Sequence, residues 1–500
     1  MTAAVLGIDA GTTGVKAVLY GLAGDGGAVL ATGYRSVAVS RGAGGRAESD
    51  PEEIWDAVAG AVRDAVADAG GDAVAAIGIT GQGDGAWLVG PDGRPVRPAA
   101  LWLDGRGAAR VAEWEADGRN AAVIAATGSS IFPGTLPILL EELSADEPDA
   151  VVAAAHHLNC KDWIRFRLTG EAATDPSEAS RTYLDVGTGE YSDAMVDRLG
   201  HEHWRRLLPA VLDPLGVAGR VTPQAARDLG LAAGTPVAAG WVDSAACPVG
   251  LGAIDDGAGF IVLGTTATVA VNHAHRRDVR SDVAIVISTG RGTQVIEALS
   301  SMTGSPNVDW ARRTLGFADR SWDEIEAQLR AVPHGSGGIV YLPYGSPSGE
   351  RAPFVDTAAS ASWLGTSVTT TPAELFRAVF EGLAFSMSEC LDILGADRVV
   401  RICGGGARSN LMCQLLADAS GRTVVRAEDD EAGARGAATG ALVAAGIAAD
   451  LPEAVRLLRQ PETTFEPRPD RPLADARAAF IAVRDAVRPH WGALRALRQG

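Results

Sequence analysis

The sequence predicts an α/β chain of two similar domains facing each other across a cleft, and three observations carry that reading. The stretch Leu6-Gly7-Ile8-Asp9-Ala10-Gly11-Thr12-Thr13-Gly14-Val15-Lys16-Ala17-Val18-Leu19-Tyr20 sets two apolar, β-branched runs around a Gly-Thr-Thr-Gly turn. The pattern returns at Gly259-Phe260-Ile261-Val262-Leu263-Gly264-Thr265-Thr266-Ala267-Thr268-Val269-Ala270-Val271, which marks an internal repeat. At 500 residues the chain is too long for one compact core and long enough for two. The division is drawn at 1–248 and 249–500.

The first hairpin has the composition of a phosphate cradle. Gly11 frees the backbone so that N–H groups can converge on an anion, Thr12 and Thr13 add hydroxyl donors, and Lys16 adds a compact positive charge. Asp9 is out of place beside an anion unless a cation lies between them, and a hydrated Mg²⁺ resolves the conflict. In the repeat, Gly264, Thr265 and Thr266 superpose on the first turn, with Val262 where Asp9 stands and Val269 where Lys16 stands. The cradle is repeated and the charges are not, so metal and lysine chemistry are assigned to the first half.

Bulk properties narrow the function. The formal net charge is −18, which argues against nucleic acid or an anionic membrane as partner, since both select a basic face. No stretch approaches the roughly 18 uninterrupted apolar residues of a membrane span. The N-terminus carries no basic region or cleavage signal, and Asp9 breaks its first apolar run. Five scattered cysteines without a C-x-x-C pair read as free thiols in a reducing compartment. A cytoplasmic protein is the expectation. Lys16 and Lys161 are the only lysines, and neither follows a glycine, so the chain has no P-loop.

Taken in order, Ser49-Asp50-Pro51-Glu52 is a cap signal for an amphipathic helix through Ile54, Trp55, Val58 and Val62. A buried strand, Val74 to Thr80, leads into Gly81-Gln82-Gly83-Asp84-Gly85, whose glycines let the loop lie against a ligand. Gln82 and Asp84 offer acceptors for hydroxyls, and Trp102 and Asp104 add an indole face and a carboxylate, a set that suits a polyhydroxylated ligand. Asn159 to Gly170 reads as a scaffolding helix with a glycine stop. Pro236 to Cys247 reads as a strand, a Gly240 break and a small-residue helix, which places Asp243 at a positive helix end. A catalytic base would be held there, and a helix-capping aspartate is the alternative.

Thr371-Pro372-Ala373-Glu374 is a capping box for a long buried helix to about Leu394. The strand Val399 to Cys403, the turn Gly404-Gly405-Gly406 and a helix from Leu411 form a nucleotide-binding arrangement. A dinucleotide fingerprint is disfavoured, because Ser409 stands where the third glycine is required. Leu473, Ala476, Phe480, Val483 and Val487 form a last amphipathic helix that should stop or kink near Pro489.

With these pieces placed, the chain resembles the FGGY family of carbohydrate kinases over nearly its whole length. The resemblance rests on the Asp9-x-Gly-Thr-Thr hairpin, Gly81-Gln82, Leu101-Trp102-x-Asp104-x-Arg106, Lys161-Asp162-Trp163 and Asp243-x-Ala-Ala. Gly264-Thr265-Thr266, Ser348-Gly349-Glu350-Arg351-Ala352-Pro353, Glu381-Gly382-Leu383-Ala384-Phe385 and Gly404-Gly405-Gly406-Ala407-Arg408-Ser409-Asn410 extend it. It implies two ribonuclease-H-like domains of the actin-like ATPase type hinged around a cleft, ATP with Mg²⁺, and γ-phosphoryl transfer to a sugar hydroxyl.

It places Asp243 at the catalytic base and, with Asp9, near the metal. It puts Gln82, Gly83, Asp84, Trp102 and Asp104 at the sugar, and Gly405, Gly406 and Asn410 at the adenosine. Glycerol kinases are expected to carry Arg-Glu, and D-xylulose kinases Met-His, where this chain has Gly83-Asp84. Glycine in place of arginine should widen the pocket. The loop, with Asp175-Pro176-Ser177-Glu178-Ala179-Ser180, looks closest to erythritol kinases, and ketopentoses such as L-xylulose also suit the remainder. A homodimer is compatible with the resemblance. Other classes to separate are a catalytically silent sugar or nucleotide sensor and an NAD-dependent dehydrogenase.

Overall fold

A computed structural model of the chain describes residues 3–22, 27–276, 280–281, 283–470 and 473–499. Its two main sheets follow one plan. In the first, β1 (Ala4–Ala10), β2 (Gly14–Gly21) and β3 (Val29–Ser36) form an antiparallel meander. β4 (Val74–Gly81) then lies parallel to β1, β6 (Pro236–Ala238) parallel to β4, and β5 (Val217–Arg220) closes that edge antiparallel.

In the second, β7 (Gly259–Leu263), β8 (Ala267–His273) and β10 (Val295–Ser300) repeat the meander. β11 (Val399–Cys403) and β12 (Thr423–Ala427) repeat the parallel strands, and β13 (Glu462–Phe465) repeats the antiparallel edge. β9 (Ile285–Ser288) extends the other edge. The duplicated hairpin is thus the visible end of a duplicated sheet.

The two hairpins close in different register. β1 and β2 place Ala10 opposite Val15 and Asp9 opposite Lys16. β7 and β8 place Leu263 opposite Ala267, one turn residue fewer, so Val262 faces Thr268 and Val269 faces Ile261. The residue in the place of Lys16 is therefore Thr268, not Val269. Because side chains alternate faces along a strand, one residue of slip sends Val269 into the core.

Helices cover the sheets where the sequence signals lie. In α1 (Pro51–Val66), Asp50 caps the Glu52 N–H, and Ile54, Trp55, Val58 and Val62 are buried in one core with Leu6, Ile8, Val15 and Leu19. α5 (Pro372–Leu394) opens with the reciprocal Thr371 and Glu374 capping box and ends at a left-handed Gly395. It runs buried beneath the second sheet, sharing a core with Ile261, Val269 and Leu299. α8 (Ala474–Val487) brings Phe480 into the same core.

Two helices cross between the sheets. α4 (Asp243–Leu251), from the first half, shares a buried cluster with Phe260, Ala270 and Ile296 of the second sheet. α7 (Ala432–Ala444), from the second half, lies on the first sheet, where Ala434, Ala438, Ala441 and Leu442 meet Val5, Val18, Ala76 and Ala238. Small residues permit this. A Cβ on Gly7 would reach 2.0 Å from the Ala434 carbonyl oxygen, and one on Gly436 would reach 1.9 Å from that of Ala246. Chain order and packing therefore differ: the 248/249 division separates the strands of the two sheets, while α7 returns to the first.

Candidate active site

The cleft collects residues from the ends of β1, β4 and β6 and from the starts of α4 and α7. Asp9 is half-buried near the end of β1 against the first turn of α7, since a Cβ on Gly433 would lie 2.2 Å from its Oδ2. Burial pushes its carboxyl up to about 6, with Lys16 opposing and Glu431 assisting. Asp243 opens α4, and its Oδ1 accepts the Ser244 N–H at 2.5 Å. Val242 holds the N-cap position, so Asp243 is not the helix cap. Burial, then the charges of Asp9 and Asp84, push Asp243 up to about 7, against the Ser244 hydrogen bond.

Lys16 differs from its expected role. Its Nζ lies 2.9 Å from Glu431, so the ammonium is committed to a carboxylate 415 residues away instead of standing free for phosphate. Trp102 donates its Nε1–H to the Thr12 hydroxyl at 2.9 Å, which ties the tryptophan loop to the first Gly-Thr-Thr turn. Asp104 is also corrected. Its oxygens accept from the Ala47 and Arg106 N–H groups and the Arg106 guanidinium, which fills a carboxylate's accepting positions. Burial alone would raise its pKa, and these bonds hold it below the ordinary value. Asp104 shapes the loop and does not present an acceptor to a ligand.

The Gly81–Gly85 loop holds polar atoms with nothing to bind. Gln82 is buried, its N–H donates to the Ala10 carbonyl, and its side-chain Oε1 and Nε2 have no partner. Asp84 sits at φ 57, a left-handed conformation rare for a side-chain-bearing residue. Its Oδ1 is unpartnered, and its Oδ2 lies 3.6 Å from Arg181 Nε.

A Cβ on Gly83 would stand 2.5 Å from Val242 Cγ2 and 3.2 Å from Glu178 Oε2. The glycine therefore does not widen the pocket; it makes room for Val242 and Glu178. Both oxygens of Glu178 and the Nη2 of Arg181 are buried without partners. Burial raises the Glu178 carboxyl well above its ordinary value, against Lys161 and with Asp162, Asp175 and Asp84. Sequence reasoning picked out the segment 175–180 but not Glu178 as a site residue, and it missed Arg181. Their three-residue spacing at the helical turn α3 (Pro176–Ala179) was the available signal.

On the other side, a cavity of about 610 Å³ opens between the second hairpin and the glycine turn. It brings together Gly264, Thr265, Gly405, Gly406 and Asn410, while Thr266 does not line it. Gly404 at φ 92 ends β11, and Ser409 caps α6 (Asn410–Ser420) by accepting the Met412 N–H. Trp322, Val308 and Phe380 give the cavity an apolar wall, and Asp309 and Glu326 add carboxylates, none of which the sequence had indicated. Its size and mixed lining suit a nucleoside. A larger open depression of about 750 Å³, lined by Arg94, Arg97 and Phe166, shares no residue with it.

Residues 4–250 match the N-terminal domain of the FGGY family of carbohydrate kinases, and residues 259–445 match its C-terminal domain. The chain belongs to this family. Among curated relatives, an erythritol kinase from Brucella abortus (strain 2308) is 34% identical over 98% of this chain and 97% of its own. A xylulose kinase from Escherichia coli (strain K12) is 33% identical over 88% and 90%. Among solved structures, xylulose kinase from Rhodospirillum rubrum has a TM-score of 0.87 at 25% identity, covering 98% of this chain and 100% of that one. Gluconate kinase from Lactobacillus acidophilus has a TM-score of 0.90 at 24% identity, covering 99% and 100%, and speaks to the fold alone.

The two sheets are thus the two domains of an actin-like ATPase fold, and the protein is a carbohydrate kinase, not a dehydrogenase. Carbohydrate kinases use ATP, typically with Mg²⁺. Among the described residues no three His, Cys, Asp or Glu side chains converge as a metal cage. Asp9 and Asp243, both half-buried with raised pKa values, the second raised in part by the charge of the first, instead fit Mg²⁺, which keeps several waters and takes one or two carboxylates beside substrate phosphates. Among the described residues no helix is long and apolar enough to cross a membrane.

Proposed function

We propose that this FGGY kinase transfers the γ-phosphoryl group of ATP to a terminal hydroxyl of a neutral short-chain polyol, a tetritol such as erythritol, with Asp243 as base. One observation carries the substrate class. Gln82, Asp84, Glu178 and Arg181 surround the start of α4 with buried polar atoms that lack partners. Such atoms are costly unless a ligand satisfies them. Oxygens and nitrogens both stand unpaired among them, and a polyol's hydroxyls can donate to the one and accept from the other at every carbon. The erythritol kinase relative, matched over nearly both full lengths, supports the same choice. Arg181 Nη2 and Gln82 Nε2 could also donate to a ketone, which favours a ketopentose as the second reading.

In this mechanism the chain's own residues position and move a proton. Asp243 accepts the proton of the attacking hydroxyl, a contribution worth about 10²–10⁴-fold. Its pKa near 7 keeps a useful fraction ionised at neutral pH while making it basic enough to act. Gly11, Thr12 and Thr13 face the phosphates from the first domain, and Gly264, Thr265 and Thr266 from the second. Gly405, Gly406 and Asn410 border the nucleoside. Asp9, with Asp243, would hold Mg²⁺, which neutralises charge on the phosphates. The silent-sensor alternative leaves the raised, paired carboxylates of Asp9 and Asp243 without a use.

The test is ADP release from MgATP against tetritols, pentitols and ketopentoses. A tetritol should give the highest kcat/KM, and a ketopentose ranking first would select the second reading. Asp84→Ala should raise KM for the preferred substrate at least about tenfold while leaving KM for ATP unchanged, as expected for one lost hydrogen bond to a charged group. An unchanged substrate ranking would remove loop 81–85 as the specificity element. Binding without ADP release would identify a sensor.

A further inference from the structure

Lys161, one of two lysines in the chain, is fully buried at the start of α2 (Cys160–Thr169), and the chemistry above makes no use of it. Its Nζ lies 2.6 Å from Asp162 Oδ1 and 2.8 Å from Asp175 Oδ1. Asp162 is held in turn by Arg165 at 3.1 Å and by the Thr174 hydroxyl at 2.7 Å. The other oxygen of Asp175 accepts from Ser177 twice, from its N–H at 2.7 Å and its hydroxyl at 2.6 Å. A hydroxyl has one proton. With that proton given to Asp175, Ser177 Oγ can only accept, and it accepts the Val242 N–H at 2.9 Å.

Val242 is the residue before Asp243. As the N-cap of α4 its N–H has no acceptor within the helix, so Ser177 is what satisfies it. The preceding carbonyl, that of Trp241, accepts the Thr80 hydroxyl at 2.8 Å. The backbone entering Asp243 is therefore fixed on both sides by buried side chains, one from β4 and one from the 175–177 turn. Lys161 supplies the counter-charge on which the second depends.

We propose that Lys161, Asp175 and Ser177 form a positioning relay for Asp243. The lysine orients Asp175, Asp175 orients the Ser177 hydroxyl, and that hydroxyl sets the height at which α4 presents its carboxylate. This rests on Asp243 being the base. The relay gives Lys161 a use suited to a compact ammonium: from one atom it hydrogen-bonds Asp162 and lies within ion-pair distance of Asp175 on a different element. None of the three residues touches a reacting group. Their effect passes through geometry, and a displacement of about 1 Å at a reacting centre costs about 10²-fold in rate.

Lys161→Met leaves buried carboxylates without their cation and can fail to fold, so Ser177→Ala is the deciding variant. It should lower kcat about 10–100-fold with KM for ATP and for the polyol within about threefold, because binding groups stay in place. Ser177→Thr, which keeps the hydroxyl, should recover kcat to within about threefold of wild type. Combined with Asp243→Asn, Ser177→Ala should add almost no further loss, since it acts only through the side chain already disabled.

A wild-type kcat for Ser177→Ala overturns the relay. So does a full multiplicative loss on top of Asp243→Asn, or a parallel rise in both KM values with a fallen Tm. If Asp243→Asn alone keeps wild-type kcat, the base assignment itself fails and the relay with it.

Discussion

In the first hairpin Asp9 stands opposite Lys16, both beneath the start of α7, where Glu431 takes the lysine and Gly433 makes room for the aspartate. In the second, the same face carries Val262 opposite Thr268, whose hydroxyl bonds Ser300 at 2.9 Å. Its tip is tied down by backbone bonds, from Gly304 N to the Thr265 carbonyl and from Ser305 N to that of Gly264. Duplication kept a rigid backbone cradle on both sides of the cleft, and charge was retained on one side only. Phosphate contact can be shared between two domains, whereas a metal-linked carboxylate works only where it also faces the base. In the function proposed above Asp9 and Asp243 are that pair, at the end of β1 and the start of α4, and the charge of Asp9 adds to burial in raising the Asp243 carboxyl.

The harshest test of this asymmetry is Asp9→Asn. It should lower kcat by at least about 10²-fold and shift activation by Mg²⁺ to higher concentrations, and adding Val262→Asp should not restore either. An unchanged Mg²⁺ titration would erase the distinction between the hairpins.

A smaller effect comes from pH. The base must be ionised, so kcat/KM should fall about tenfold per unit as pH drops through about 7, and more steeply below about 6 as Asp9 gains its proton. Stability runs the opposite way. A carboxyl whose folded pKa lies above its unfolded 3.8 holds its proton more tightly when folded, so stability is lost as pH rises from about 4 to about 7. Asp243→Asn should therefore raise Tm at pH 8, by an amount that shrinks towards pH 4 in scanning calorimetry. The smallest effect belongs to Val262→Ile, a near-isosteric change that should cost less than about 1.5 kcal/mol in denaturant unfolding. A larger cost would mean that Val262 does more than fill space.

Local signals in the sequence were legible because the physics that writes them is local. The Asp50 and Thr371 caps, the Gly170 stop, the strand before Gly404 and the placing of Asp243 on the first turn of a helix all follow from neighbours in the chain. Partnerships at a distance were not. Nothing near Lys16 announces Glu431, and nothing near Asp104 says that Arg106 and Ala47 fill its oxygens. The displaced register of β7 and β8 escaped because matching Gly-Thr-Thr triplets say nothing about how many residues the turn consumes. Gly83 was misread for a related reason. A missing side chain looks like empty space until the structure shows that Glu178 and Val242 occupy it.

The crossing of α4 and α7 has a consequence for how the protein is made. All six strands of the first sheet have left the ribosome once Ala238 is clear, yet the helix that covers one of its faces starts only at Ala432. At about 5–20 residues per second, the intervening stretch of about 190 residues keeps Val5, Val18, Ala76 and Ala238 uncovered for about 10–40 s. The core beneath α1 draws only on the first half of the chain and can form early, whereas this second face stays uncovered in the nascent first domain. Its final state depends on the last quarter of the chain arriving, and in that interval a chaperone would find its apolar face open.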